Sequence, residues 1–300
     1  MGFVGVSTVS SSIMKIFPHW AEELGLPTKR IIGHDLKPNS SPNEYQKLCR
    51  EIKEDDRHYG ALITTHKVNI YKSCQNIFDE LDDYALEFGE ISAIAKHQGK
   101  YVASAKDPVT VRQALEQIIE EGYFAKTNSD VLCLGSGGSG IALTHQLGVR
   151  RDSPRRIVCT ARSEVKLDAL RKSHFQSGLN ENLFEYVNTK NPDDCNLLIE
   201  NLSEGSIIIN ATGMGKDIPG SPLSDNVNYP YGSIIWDFNY RGSLEFLAQA
   251  QLAKEEKNLR IVDGWQYFIY GWVQAISEVF EVEISDETII QLDEIARAFK

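Results

Sequence analysis

Positive charge is scarce in this sequence. Its 31 Lys and Arg face 42 Asp and Glu, a formal net charge of −11, which argues against nucleic acid or an anionic membrane as the main partner; any anion must be held by a local feature. Cysteine is sparse and unpaired in pattern. The five residues (Cys49, Cys74, Cys133, Cys159 and Cys195) are odd in number and widely spaced with no C-x-x-C pair, so no zinc site is expected, and the pattern fits reduced thiols of a cytoplasmic protein. Long apolar runs are missing as well. The opening Met1-Gly-Phe-Val-Gly-Val-Ser-Thr-Val-Ser-Ser11 has no basic stretch ahead of its apolar residues and is too short to span a bilayer, so neither a leader nor an anchor is expected. Val6 breaks the pattern for lipidation at Gly2. Internal repeats and low-complexity tracts are absent too.

What is present is a core-forming chain. Three hundred residues with 42% hydrophobic content predict two domains. The stretch around which they are organised is Val131-Leu-Cys-Leu-Gly-Ser-Gly-Gly-Ser-Gly140. Four apolar residues suit a buried parallel strand, and glycine fills four of the next six positions before Ile141-Ala-Leu-Thr-His-Gln-Leu147 opens a helix. Strand, glycine turn and helix start make a phosphate cradle, because glycine lets backbone N–H groups approach a pyrophosphate at a helix N-terminus. A second strand follows at 156–160 and leads into Ala161-Arg162-Ser163. NAD enzymes usually carry Asp or Glu there for the ribose hydroxyls, whereas a guanidinium and a hydroxyl suit a 2′-phosphate, so NADP is the expected cofactor.

Taken in order, the chain predicts a strand at 1–7, a helix from Ile13 to Leu24 capped by the Ser10-Ser11-Ser12 cluster, a strand at 30–35 and a helix over 43–55. Gly60 to Lys67 reads as a strand with Lys67 at its end, followed by a helix over 70–81. Strands at 87–95 and 100–105 pair around His97-Gln-Gly99, and a helix over 109–121 carries the domain boundary. Further strands are expected at 131–134, 156–160, 184–188, 206–210, 233–237 and 259–262, with a helical end over 263–300. The expected fold is α/β: residues 1–110 form a substrate-binding and catalytic domain to which 263–300 return, and 111–262 form a Rossmann-type, doubly wound NADP-binding domain.

These motifs, in this order, resemble the shikimate dehydrogenase (shikimate/quinate dehydrogenase-like) family over nearly the whole chain. The family's G-x-N-V-T-x-P-x-K is similar to Gly60-Ala-Leu-Ile-Thr64-Thr65-His-Lys67, and its G-x-N-T-D to Ala103-Ser-Ala-Lys-Asp107. The G-A-G-G-A/S loop appears as Gly135-Ser136-Gly137-Gly138-Ser139, and N-R-T-x-x-K/R as Ala161-Arg162-Ser163 with Lys166. N-A-T-x-x-G appears as Asn210-Ala-Thr212-Gly213-Met214-Gly215, D-x-x-Y as Asp237-Phe-Asn-Tyr240, and the C-terminal D-G and glutamine as Asp263-Gly264 and Gln274. The resemblance implies that Lys67 and Asp107 are a catalytic proton-transfer pair, and that Ser10, Ser11, Ser12, Thr64, Thr65, Ser92, Tyr240 and Gln274 read the substrate. It further implies that the glycine loop, Ala161, Arg162, Ser163, Lys166, Asn210, Thr212, Gly213, Met214 and Gly264 hold NADP.

The resemblance also implies a reaction: reversible hydride transfer between NADPH and the ring ketone of 3-dehydroshikimate or a related cyclic polyhydroxy compound, in aromatic amino acid biosynthesis, by a monomer or homodimer. Alternatives are a dehydrogenase of quinate or another cyclitol, and a non-catalytic metabolite sensor of the same fold; a methylene-tetrahydrofolate dehydrogenase fits the motifs less well. The departures from the family's pattern fall among the substrate readers. The first-loop proline is missing after Ser12, Ser92 stands where the family has asparagine, Ala105 and Lys106 replace its Asn-Thr, and Glu90 is an added acid beside Ser92. Gln274 comes ten residues after Gly264, where the family's glutamine comes seven after its glycine, with an aromatic run from Trp265 to Trp272 between them. These changes point to altered substrate recognition with the redox parts retained.

Overall fold

The computed structural model describes residues 1–216 and 218–300. They divide into two compact units, Met1–Asp107 with Ile269–Lys300, and Pro108–Phe268.

In the first unit the elements run β1 (Gly2–Gly5), α1 (Ile13–Glu23), β2 (Ile32–Asp35), α2 (Pro42–Glu54), β3 (Gly60–Ile63), α3 (Lys67–Cys74), β4 (Glu80–Leu81), α4 (Asp83–Phe88), β5 (Ala93–His97) and β6 (Lys100–Ser104). The strands form one sheet in the order β2-β1-β3-β5-β6-β4, parallel on the β2-β1-β3 side and antiparallel where β5 joins β3 and β6. Each start has a local cause. Ser41 and Glu44 form a reciprocal capping box at α2, with Pro42 in the first turn, where its missing N–H costs nothing. Asp82 caps α4 by accepting from the Ala85 N–H at 2.7 Å, and Gly89 ends that helix in the left-handed conformation.

The second unit holds α5 (Asp107–Ile118, whose first residue belongs to the other unit), α6 (Tyr123–Thr127), β7 (Val131–Leu134), α7 (Gly138–Gly148), β8 (Ile157–Ala161), α8 (Glu164–Gln176), β9 (Phe184–Asn188), α9 (Pro192–Glu200), β10 (Ile207–Asn210), β11 (Ile234–Asp237), α10 (Glu245–Lys257) and β12 (Arg260–Val262). Its sheet is wholly parallel in the order β12-β11-β10-β7-β8-β9. Counted from β7 this is 3-2-1-4-5-6, the doubly wound order with its switch point between β7 and β10. The inner strands β7, β8, β10 and β11 are buried on both faces and largely apolar, as in Ile207-Ile-Ile209. Cys133 and Cys159 sit among them, and burial pushes both thiols up, Cys133 to about 12, which keeps them neutral.

The chain ends with α11 (Trp265–Phe280) and α12 (Asp286–Arg297). From Ile269 onward they belong to the first unit, where Trp272 meets Phe3 edge-on at 5.1 Å and the Trp20 indole N–H donates to the Leu292 carbonyl at 2.8 Å.

Four local expectations need correction. The helix predicted over 70–81 ends at Cys74, and Glu80–Leu81 instead pair with β6 as an edge strand. Ile77, Phe78 and Leu81 have helical spacing, but Asp79 takes the Tyr101 N–H at 2.7 Å and gives its own N–H to the Tyr101 carbonyl, drawing the segment to the sheet. The strand predicted from Glu87 begins only at Ala93, because Asp82 and Gly89 bound a short helix before it. β3 ends at Ile63, which makes Lys67 the first residue of a helix rather than the last of a strand. Ser12 takes the N-cap position of α1, yet its side chain makes no capping hydrogen bond.

Candidate active site

Two groups of chemically useful residues emerge, one in each unit. The first lies where helices α3 and α5 begin. Lys67 opens α3 and its carbonyl accepts from the Ile91 N–H at 3.2 Å, which fixes the first turn against the segment leading to β5. Asp107 opens α5 after a turn pinned at three points. The Ser104 carbonyl accepts from Ser92 N–H at 2.9 Å, Ala105 N–H donates to Asp82 at 3.1 Å, and Lys106 N–H donates to the Ser92 hydroxyl at 2.6 Å. So placed, the Lys67 ammonium and the Asp107 carboxylate form a direct ion pair, with side-chain exposures of 16% and 9%. A helix N-terminus favours the aspartate and disfavours the lysine. Burial also opposes the ammonium, but Asp107 and then Glu90 outweigh it and hold Lys67 protonated above the ordinary lysine range.

Glu90 is the residue the sequence showed only as a departure. It is 1% exposed, and neither carboxyl oxygen has a hydrogen-bond partner among the described residues. Burial, and next the charge of Asp107, push its carboxyl up to about 8 against the pull of Lys67. Lys106, replacing the family's threonine, is engaged by Glu278 at 2.7 Å and Asp82 at 3.9 Å.

The other residues assigned to substrate are spread more widely. Ser92 is buried, with its hydroxyl taken by Lys106 N–H. Thr64 donates to the Val4 carbonyl at 3.2 Å, and Thr65 is exposed. Ser10 bonds the Ser7 carbonyl at 3.1 Å, Ser11 is buried and Ser12 half-buried. Gln274 lies on α11. Tyr240 belongs to the second unit, packed on Phe268 and Trp265, and its hydroxyl is buried without a hydrogen-bond partner among the described residues.

The second group surrounds a cavity of about 420 Å³ at the carboxyl ends of β7, β8 and β10. Its floor is the turn from Leu134 to Gly137. Gly135 has φ +108°, and a Cβ there would sit 2.7 Å from the Ala211 carbonyl oxygen. A Cβ on Gly140 would lie 2.6 Å from the Gly135 carbonyl oxygen, whereas Gly137 has open space. Helix α7 therefore seats tightly on the turn and presents its first N–H groups beside Gly137 with no side-chain cap, and the Ser136 hydroxyl is buried without a hydrogen-bond partner among the described residues. This is the donor set that a pyrophosphate satisfies. At the β8 exit Ala161, Arg162, Ser163 and Lys166 line the same cavity, and no acid lines it among the described residues, so the residues fit the 2′-phosphate of NADP.

Sequence reasoning missed one wall of this cavity: Thr189, Lys190 and Asn191, which follow β9 and add a third cation. A lysine in a polar loop carries no signal until the sheet order places it beside β8. Among the assigned cofactor residues, Thr212 and Met214 line the cavity, while Gly138, Ser139, Asn210, Gly213 and Gly264 do not. Asn210 instead braces the loop from within. Its amide donates to Asp237 at 3.1 Å and to the Met214 carbonyl at 3.2 Å, and its oxygen accepts from the Thr212 hydroxyl at 2.6 Å. Burial pushes Asp237 up to about 6 in spite of these bonds. The Ser139 hydroxyl accepts from Tyr267 at 3.1 Å, and Gly264 packs where any Cβ would strike the Phe238 backbone.

No family model matches the chain. Among curated proteins it is similar to the NADP(+) shikimate dehydrogenase of Lactococcus lactis, 26% identical over 210 residues that cover 69% of each chain. It is also similar to that of Thermococcus kodakarensis, 25% identical over 67% of this chain and 64% of the other. Among solved structures, quinate dehydrogenase from Corynebacterium glutamicum in complex with NAD shares the fold at a TM-score of 0.75, with 17% identity and coverage of 99% and 98%. Shikimate 5-dehydrogenase from Listeria monocytogenes in complex with shikimate and NAD does so at 0.73, with 15% identity and coverage of 98% and 95%. The chain is thus similar in sequence to NADP(+) shikimate dehydrogenases and shares its fold with solved shikimate and quinate dehydrogenases.

Proposed function

We propose that the protein is an NADP-dependent oxidoreductase acting on CH–OH, which interconverts the ring ketone of 3-dehydroshikimate or a related cyclic polyhydroxy compound with its alcohol. The second unit serves as the NADP-binding domain and the first as the substrate and proton-transfer domain. The observation that carries this reading is the buried Lys67–Asp107 ion pair, built from the first residues of two helices. A pure binding module has no need of a desolvated ammonium held ready beside a carboxylate.

The chemistry follows from those groups. Bound NADPH supplies the hydride. As negative charge grows on the carbonyl oxygen, the Lys67 ammonium stabilises it and gives up a proton to the forming alkoxide, while Asp107 orients the ammonium and accepts from a neighbouring substrate hydroxyl. In the oxidation direction Lys67 takes the hydroxyl proton back. Arg162, Lys166 and Lys190 neutralise the 2′-phosphate, and the uncapped start of α7 holds the pyrophosphate. Changed reading of the ring hydroxyls is supported by Ser92, which stands where the family carries asparagine and whose hydroxyl accepts from Lys106 N–H at 2.6 Å.

The test follows NADPH absorbance with shikimate, quinate and a panel of cyclic polyols, each with NADP and with NAD. Turnover is expected with NADP in preference to NAD, and Lys67→Ala should lower kcat by roughly 10²–10⁴-fold. NADP binding without turnover of any ring alcohol would transfer the assignment to a sensor.

A further inference from the structure

Exposure falls in steps across the acid–base cluster of the first unit: the Lys67 side chain is 16% exposed, that of Asp107 9%, and Glu90 1%. A ligand arriving from solvent can touch the first two. It cannot touch Glu90, whose carboxyl oxygens are sealed and have no hydrogen-bond partner among the described residues. The Glu90 carboxyl lies within the fields of Lys67 and Asp107, and its backbone neighbour Ile91 is bonded to Lys67. The charged groups acting on it are Lys67 from α3 and Asp107 from α5. The Tyr71 ring of α3 lies against adjacent Gly89, and Lys106, on the turn before α5, is occupied by Glu278 and Asp82.

A carboxyl in this position is poorly explained as a structural element. Structural buried acids are hydrogen-bonded, because an unsatisfied one costs stability. This one keeps its potential unspent beside the two groups that handle protons.

Resting on the oxidoreductase reading, we propose that Glu90 is the proton reservoir of the site, a positioning residue behind the Lys67–Asp107 pair that remakes the Lys67 ammonium after each proton transfer. On ketone reduction the carbonyl carbon gains a hydride from the reduced nicotinamide, a Lys67 Nζ–H bond breaks and the substrate O–H bond forms. Glu90 and Lys67 share no hydrogen bond at rest, so the carboxyl turns toward Nζ for the next step. The Glu90 O–H bond breaks as Lys67 Nζ–H is remade, which leaves a carboxylate beside the ammonium. Once product has left, Lys67 returns a proton to Glu90 and is itself reprotonated from solvent. Oxidation runs the same transfers in reverse, with the proton ending on Glu90. Because the reservoir is internal, the proton need not be drawn from solvent while ligand covers Lys67.

The shift of Glu90 to about 8 places the stored proton within the working range and sets the sign of the test. Ketone reduction needs Glu90 protonated and slows above pH 8; alcohol oxidation needs it ionised and accelerates toward pH 8. The experiment compares wild type, Glu90→Gln and Lys67→Ala over pH 6–9.5, using NADP with shikimate and with quinate. In parallel, carbon-13 spectra of protein labelled at the Glu carboxyl are recorded with pH. Glu90→Gln is expected to lower kcat about tenfold with KM changed less than twofold, to remove the inflection near pH 8, and to delete one carboxyl resonance that titrates there. A Glu90→Gln profile superimposable on wild type while Lys67→Ala is inactive, or spectra with no carboxyl titrating above the usual carboxylate range, overturns the reservoir and leaves the oxidoreductase standing. A wild type inert toward both alcohols overturns the functional reading and the reservoir with it.

Discussion

A single side chain can stabilise one property and weaken another, and the acids and bases near Lys67 separate the two effects. Glu90 is held neutral by burial and by the charge of Asp107, so its folded-state value of about 8 exceeds the ordinary 4.5. Between those limits the unfolded chain binds fewer protons than the folded one, and folding stability therefore declines as pH rises from about 4.5 to about 8. Glu90→Met removes that decline and the unsatisfied polar atoms together. Its urea midpoint should exceed that of wild type by an amount equivalent to ~1–3 kcal/mol, with the larger gain at pH 8.5 than at pH 5.5, even as turnover falls. Lys67→Met should do the opposite, since it leaves Asp107 buried without its cation, at a cost of roughly 3–5 kcal/mol. At this scale the sequence singled out Lys67 and Asp107, which the fold brings together, and marked Glu90 only as a departure among the substrate readers, with no sign of its burial. An acid following a helix-ending glycine looks like a solvated loop residue, and only the fold shows that it is buried.

Among the elements, those specified locally were legible. The β7–turn–α7 unit could be read because four glycines within six residues stand between an apolar strand and a helix, with a second strand following where a βαβ unit puts one, and the structure gives two of the glycines a steric reason. Gly140→Ala should therefore lift α7 off its turn and weaken NADP binding at least tenfold, measured by fluorescence titration, although alanine is a better helix former. Arg162→Ala should weaken NADP binding by the equivalent of ~1.5–3 kcal/mol and leave NAD binding within twofold, because only the former carries a 2′-phosphate. Legibility failed where a distant partner decided the outcome. Residues 77–81 have helical spacing, yet Glu80 and Leu81 form an edge strand because β6 is there to pair with them. The cavity wall after β9 was equally invisible, since strand order is a property of the sheet and not of the loop.

The whole molecule reuses an economical plan: two sheets, each covered by helices, with the chain leaving the first unit after Asp107 and returning at Ile269. Alternation of strands and helices was enough to predict the α/β class, and the six parallel strands of the second unit fall close to their expected positions. A ligand that binds only the folded state stabilises it by mass action. NADP at about 100 times its dissociation constant should add ~2.7 kcal/mol to unfolding of the second unit, seen as slowed amide exchange over 131–140 and 161–166. The return of the chain carries a further consequence for synthesis. The second unit is contiguous and is complete once Phe268 has emerged from the ribosome. The first unit, although made earlier, still lacks Trp272 for Phe3 of β1 and the Leu292 carbonyl for Trp20 of α1, so these two aromatic residues wait without their partners for nearly the whole of translation. The first-made half is thus the last to be finished, and a nascent chain stalled before α11 is the form of this protein most in need of a chaperone.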